Sequence, residues 1–117
     1  MKAVVGLLAL VVTSAWAHTP SPDELVASLT APGTRVAAGI ERADRDPRNP
    51  RLLLVRVGPQ WFALPAETRA ETAAEWYATW RRAVPQGIVA VLDVATDRVV
   101  VRFGRAGAVV GVRDRPG

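Results

Sequence analysis

The amino-acid sequence predicts an α+β fold, a two-layer sandwich in which two helices cover one face of an antiparallel sheet of four to five strands. An apolar stripe with three- and four-residue steps predicts a long helix over residues 65–84. Apolar residues alternate with a period of two from residue 88 onward, which is typical of hairpins. A capping motif at Ser21 predicts a shorter first helix. The predicted order is α-β-β-α-β-β-β.

The first helix is predicted by its N-terminal residues. Ser21 can accept a hydrogen bond from the backbone of Glu24, and the Glu24 side chain can reach back to the backbone of Ser21. Pro22 stands at the first helical position, where its missing N–H is not needed. We expect Pro32 and Gly33 to end this helix. Its apolar face consists of Leu25, Val26 and Leu29.

Two segments follow that we interpret as a hairpin. In residues 34–43 apolar side chains alternate with polar or small ones, which favours a half-buried strand, although a helix is the open alternative. Residues 52–57 form a nearly continuous apolar run, which is typical of a central strand. The polar segment 44–50 contains two prolines and predicts the connecting turn.

The long helix has clear signals at both ends. We place Pro65 at its first position, and Pro85 and Gly87 just beyond its end. Glu67 near the start and Arg81-Arg82 in the last turn suit the helix dipole. The apolar stripe consists of Ala66, Ala70, Ala73, Trp76, Trp80, and Ala83 or Val84.

The C-terminal part predicts two or three strands joined by turns at residues 95–98 and 104–107. We assign Ile88, Ala90 and Leu92 to the buried face of the first of these strands, and Val89 and Val91 to the other face. The predicted core consists of Leu25, Leu29, Leu52, Leu54, Trp76, Trp80, Ile88, Ala90, Leu92, Val101 and Phe103.

The N-terminus has the organisation of a secretory signal peptide. Lys2 supplies a positive charge, residues 3–12 are apolar, and Ala15-Trp16-Ala17 is a cleavage site of the A-x-A type. An uncleaved membrane anchor is the alternative, but the apolar stretch is shorter than the about 20 residues that a spanning helix needs. The sequence therefore predicts a leader over residues 1–17, one domain over 18–113 and a polar tail over 114–117, in a periplasmic or extracellular protein.

Composition excludes several function classes. The chain has 117 residues, no Cys, one His and a formal net charge of +4. Without Cys there is no disulfide framework, zinc–thiolate site or cysteine nucleophile. Beyond Lys2 every basic residue is Arg, which indicates either a coding bias or an anion-binding surface. We expect no nucleic-acid partner, because the protein is predicted to be exported and carries no RNA-binding aromatic motif.

The chain offers few groups for catalysis. His18 would be the terminal residue after cleavage, but a copper-binding histidine brace needs a second His that the chain lacks. We expect no Ser–His pair either, because His18 would lie in a floppy N-terminus. Glu67, Glu71 and Glu75 lie four residues apart, which is the usual solvated face of an amphipathic helix. The sequence therefore predicts no enzyme, no cofactor and no metal site.

Four residues are predicted to contact a ligand or partner. Trp61 and Phe62 lie in a loop, where Trp61 is better placed for an exposed contact than Trp76 or Trp80 on the apolar stripe. Arg81 and Arg82 suit an acidic partner or an anionic envelope surface. We expect a binding module that contacts an envelope protein through a sheet edge. The alternative is a small-ligand domain with a pocket roofed by Trp61 and Phe62.

Overall fold

The computed structural model describes residues 20–104 and 107–110. The predicted leader and the polar tail at residues 114–117 therefore lie outside the described residues. Within those ranges the fold is α+β, as the sequence predicts, and contains two short helices more than expected. The helices are α1 (Pro22–Leu29), α2 (Pro32–Ala38), α3 (Pro59–Ala63) and α4 (Ala66–Ala83). The strands are β1 (Ile40–Arg45), β2 (Leu52–Val57), β3 (Ile88–Asp93), β4 (Val99–Gly104) and β5 (Gly107–Val110).

The strands form one mixed sheet in the order β1-β2-β3-β4-β5. Strand β2 runs parallel to β3, while the other three neighbouring pairs are antiparallel. The prediction of an antiparallel sheet is therefore wrong at one pair. In sequence, helices α3 and α4 lie between β2 and β3. This crossover connection returns the chain to the end of the sheet from which β2 started, so that β3 runs parallel to β2.

The start of α1 matches the predicted capping box. The Ser21 Oγ accepts a hydrogen bond from the Glu24 backbone N–H at 3.2 Å, and the Ser21 N–H donates to Glu24 Oε1 at 2.8 Å. Pro32 was predicted to end this helix, but it begins α2 instead. Proline suits the first turn of a helix as well as the region beyond its end, so the residue alone does not decide between the two.

Residues 34–43 contain both a helix and a strand. Helix α2 ends at Ala38, Gly39 follows with a φ of 73°, and β1 begins at Ile40. Only glycine adopts this left-handed conformation readily. A Cβ at Gly39 would also clash with the backbone nitrogen of Trp61. This glycine therefore lets the α2–β1 connection lie directly against α3.

The long helix is confirmed with a small change at its start. Helix α4 spans Ala66–Ala83, so Pro65 is the N-cap and not the first helical residue. Glu67 lies in its first turn, and Arg81 and Arg82 lie in its last turn. The residues that α4 buries are Ala73, Trp76 and Trp80.

The core lies on one face of the sheet, which we call the covered face. It carries Leu53 and Val55 of β2 and Val89 and Val91 of β3, packed in one cluster with Leu25, Trp76 and Trp80 of the helices. The sequence-based core assignment names the opposite residues of both strands. It is wrong for Leu52, Leu54 and Ile88, which are only half-buried, and it is confirmed for the burial of Ala90 and Leu92. Ala90 and Leu92 are buried as well, but they lie outside this cluster. The predicted core residues Leu29, Val101 and Phe103 are partly buried against it.

Candidate functional site

Trp61 lies in the core and not on the surface. The side chain is 1% exposed, and its ring stacks on Trp76 with centroids 5.3 Å apart. Helix α3, which begins with Pro59 at its first position, turns Trp61 inward. Its indole Nε1 is buried and has no hydrogen-bond partner among the described residues. Phe62, the next residue, is 39% exposed. Of the two predicted contact residues in this segment, Phe62 is thus the one that reaches solvent.

Arg81 and Arg82 are both exposed in the last turn of α4. The Arg81 guanidinium carbon lies 5.5 Å from the Tyr77 ring centroid, and the Arg81 Nη1 donates to the Tyr77 hydroxyl at 3.3 Å. Tyr77 in turn donates to the Gly104 carbonyl at 2.9 Å. Within the described part of the chain, no hydrogen bond, ion pair or ring contact joins these arginines to Trp61 or Phe62.

An apolar pocket of about 140 Å³ lies between α1 and α4. Its buried residues include Leu53 from β2 and Trp80 from α4. The two helices contribute residues at four-residue spacing, Leu25 with Leu29 and Trp76 with Trp80, which the sequence already shows as two apolar faces. The lining residues are Leu25, Ser28, Leu29, Leu53, Trp76, Thr79 and Trp80.

Two arginines lie beside Trp80. The Arg45 guanidinium carbon lies 5.8 Å from the centroid of its ring, and the Arg45 Nε donates to the Pro50 carbonyl at 2.7 Å. The Trp80 Nε1 donates to the Arg51 carbonyl at 2.8 Å. Both arginine side chains are exposed, and neither forms an ion pair within residues 20–104. The sequence does not indicate a role for Arg45, because the pairing of β1 with β2 is needed to bring it to Trp80.

The two edge strands of the sheet differ in chemistry. Strand β1 contains Arg42, Asp44 and Arg45, its pairing with β2 is irregular between Ile40 and Arg42, and it contacts α1 and α2. Strand β5 has the sequence GAVV and contains no charged residue. Among the described strands, β4 alone pairs with β5. The β5 edge is therefore apolar in sequence and open to a further strand, as far as the structure describes it.

Opposite the covered face, the sheet carries a row of ion pairs. Asp44 Oδ2 lies 3.1 Å from Arg42 Nε and 3.5 Å from Arg56 Nη1, and Arg56 Nε lies 3.4 Å from Asp97 Oδ1. All four side chains are partly exposed to solvent. Such pairs contribute little to stability individually, so we regard this row as a surface feature of the fold.

The described residues contain no cluster of three or more His, Asp or Glu side chains that could hold a metal ion. Glu67, Glu71 and Glu75 are exposed on α4. Across the same residues, no helix combines the length and the apolar character required to cross a membrane.

No protein-family model, curated protein or solved structure matches this chain. Function therefore has to be inferred from the pocket and the sheet edges themselves.

Proposed function

We propose that this chain is an exported, non-catalytic binding module of the bacterial cell envelope, and that it binds a partner protein by adding one strand of that protein to β5. The observation that carries the proposal is the uncharged sequence of β5 at the edge of the sheet. An edge strand presents unpaired N–H and C=O groups, which a second extended segment can satisfy. Export is inferred from the leader sequence of residues 1–17.

The other edge of the sheet explains why β5 is the preferred docking strand. Charged side chains and an irregular register are the usual means by which proteins protect an edge strand from pairing. Strand β1 has both, and it also contacts two helices. A partner strand therefore meets fewer obstacles at β5 than at β1.

Neighbouring residues indicate the chemistry of the partner segment. Arg102 of β4 pairs in register with Val109 of β5, is exposed, and has no ion-pair partner in residues 20–104. A long arginine side chain can reach a strand added beyond β5. We therefore expect the partner segment to be extended and largely apolar, with an acidic side chain on the Arg102 side.

Recovery of a partner from envelope extract tests this function. Wild-type protein is compared with Val109→Lys, which places a charge on β5, and with Val99→Lys, which makes the same change on β4 at a side chain that is 42% exposed. We expect the wild type and Val99→Lys to recover one stoichiometric protein, and Val109→Lys to recover less than about a tenth of it. Thermal unfolding of all three proteins serves as the folding control.

Two results would contradict the proposal. The first is repeated cross-linking in intact cells that finds the protein always alone. The second is equal recovery of the partner by the wild type and Val109→Lys.

Small-ligand binding is the second candidate function, and the α1–α4 pocket is the observation that favours it. The originally expected location, roofed by Trp61 and Phe62, has the Trp61 indole buried against Trp76. The α1–α4 pocket lies next to Trp76 as well. We therefore place this candidate function in the α1–α4 pocket.

A further inference from the structure

We infer that the α1–α4 pocket binds a small organic carboxylate, with the apolar part of the ligand inside the pocket and its carboxylate on Arg45. This site is independent of β5, and the inference holds whether or not a partner strand binds there.

The size and lining of the pocket define the apolar part of the ligand. An apolar cavity of about 150 Å³ admits benzene, and this pocket measures about 140 Å³. Five of its seven lining residues are Leu or Trp. The Ser28 hydroxyl donates to the Leu25 carbonyl at 2.8 Å, so its proton is already engaged within α1. The group that fits is one aromatic ring or a branched alkyl group of similar size.

Strand pairing places Arg45 beside the pocket. Arg45 of β1 is the register partner of Leu53 of β2, and Leu53 lines the pocket. The guanidinium also lies over the ring of Trp80, a second lining residue. A charged group attached to a ring in the pocket therefore lies close to Arg45.

Arg45 is available to bind an anion. Its Nε donates to the Pro50 carbonyl, which leaves the two terminal amino groups without a hydrogen bond within the described residues. The acidic residues on either side of it in sequence are engaged elsewhere. Asp44 pairs with Arg42 and Arg56, and the Asp46 Oδ1 accepts a hydrogen bond from the Arg48 backbone N–H. A guanidinium held by one nitrogen and free at the other two suits a carboxylate.

Three phenyl compounds of similar size and different charge test the inference. The complete chain is titrated with phenylacetate, 2-phenylethanol and 2-phenylethylammonium, and binding is followed through the indole N–H signals in two-dimensional NMR. The Trp80 indole N–H, which donates to the Arg51 carbonyl, gives a specific signal beside the pocket. We expect all three to shift the Trp80 and Trp76 signals, with phenylacetate binding most tightly and 2-phenylethylammonium most weakly.

Variants separate the two parts of the site. Arg45→Met keeps an unbranched side chain without the charge, and we expect it to weaken phenylacetate binding roughly two- to fivefold, the size of an exposed ion pair. The same variant leaves 2-phenylethanol binding unchanged. Thr79→Leu fills the pocket and abolishes binding of all three compounds. Its control is Thr72→Leu on the same helix, at a half-buried position that does not line the pocket.

Three results would overturn the inference. One is the absence of saturable shifts at Trp76 and Trp80 with phenylacetate. Another is equal affinity for the anion and the cation, which would remove Arg45 from the site. The third is binding that survives both Thr79→Leu and a second filling variant, Ser28→Phe, at an exposed lining position. Because β5 takes no part in the titration, these results leave the strand-docking function to its own test.

Discussion

The two faces of the central strands β2 and β3 differ in burial, although both carry apolar residues. Leu53 and Leu54 are identical residues next to each other in β2, yet Leu53 is 1% exposed in the helix-packed core and Leu54 is only half-buried on the opposite face. Val55, Val57, Val89 and Val91 continue the covered face with no exposure at all. In β2, burial is therefore decided by where the helices pack, and residue type alone does not predict it.

The ion pairs of the sheet lie on the face away from the core. Among the described residues, no polar or charged side chain is fully buried. The row of ion pairs formed by Arg42, Asp44, Arg56 and Asp97 lies on the face away from the core. This separation is expected from the cost of removing a charge from water. Apolar burial and dispersion therefore dominate the covered face, whereas the opposite face combines these ion pairs with the buried apolar side chains of Ala90 and Leu92.

The largest expected effect comes from the paired leucines. Leu53→Ala removes a fully packed side chain, and we expect it to lower the free energy of unfolding by about 2–5 kcal/mol. Leu54→Ala removes the same atoms from the opposite face and should cost only about 1 kcal/mol, because part of that side chain is already in water. Urea denaturation of both variants measures the difference. Equal losses would show that the two faces contribute equally to the free energy of unfolding, which would contradict this comparison.

Two of the three buried tryptophans, Trp61 and Trp80, sharpen the comparison within the covered face. Trp80→Phe leaves the Arg51 carbonyl without its indole donor, whereas Trp61→Phe removes an N–H that has no partner in the described structure. The Arg51 carbonyl keeps a second donor, the Ile88 backbone N–H at 2.8 Å, so the variant loses one hydrogen bond, worth about 0.5–1.5 kcal/mol, and leaves no unsatisfied acceptor. We therefore expect Trp80→Phe to destabilise the protein by about 1 kcal/mol more than Trp61→Phe. Thermal and chemical unfolding of the two variants, which share the same change of ring, test this order.

The smallest effect is expected on the opposite face. Arg56→Gln removes the guanidinium that joins Asp44 to Asp97, and we expect a loss of less than about 1 kcal/mol. The loss should shrink further in 1 M salt, because partly exposed ion pairs are screened. Unfolding measured at low and high salt checks both statements. A loss above 2 kcal/mol that salt does not change would place this row of charges among the main stabilising elements.

Elements with strong local signals were predictable from the sequence. The capping box at Ser21 and the long helix ending near Pro85 depend on neighbouring residues only, and both are confirmed. The question of which residues in the central strands face the helices is a different case. The run LLLVRV is almost continuously apolar, so alternation does not indicate which residues face the helices. The same holds for IVAVLD in β3, where Val89 and Val91 join the helix-packed cluster while the predicted residues Ala90 and Leu92 are buried outside it.

Features that depend on distant contacts were missed. The parallel pairing of β2 and β3 depends on how α3 and α4 cross the sheet, and a local pattern does not report this. The burial of Trp61 depends on a short helix that Pro59 begins within a predicted loop. The α1–α4 pocket and the position of Arg45 beside it likewise require the tertiary structure. The only sequence signal of the pocket is the four-residue spacing of apolar residues in the two helices, and the sequence holds none for the position of Arg45.

The parallel β2–β3 pairing also has a consequence for the order of folding. Each antiparallel pair joins segments that are close in sequence, whereas β2 and β3 are separated by both α3 and α4. Loop-closure entropy makes such distant pairings slow to form. We expect the chain to assemble as two local hairpin units that dock late along β2 and β3, so that variants at this junction retard folding more than variants at either outer strand.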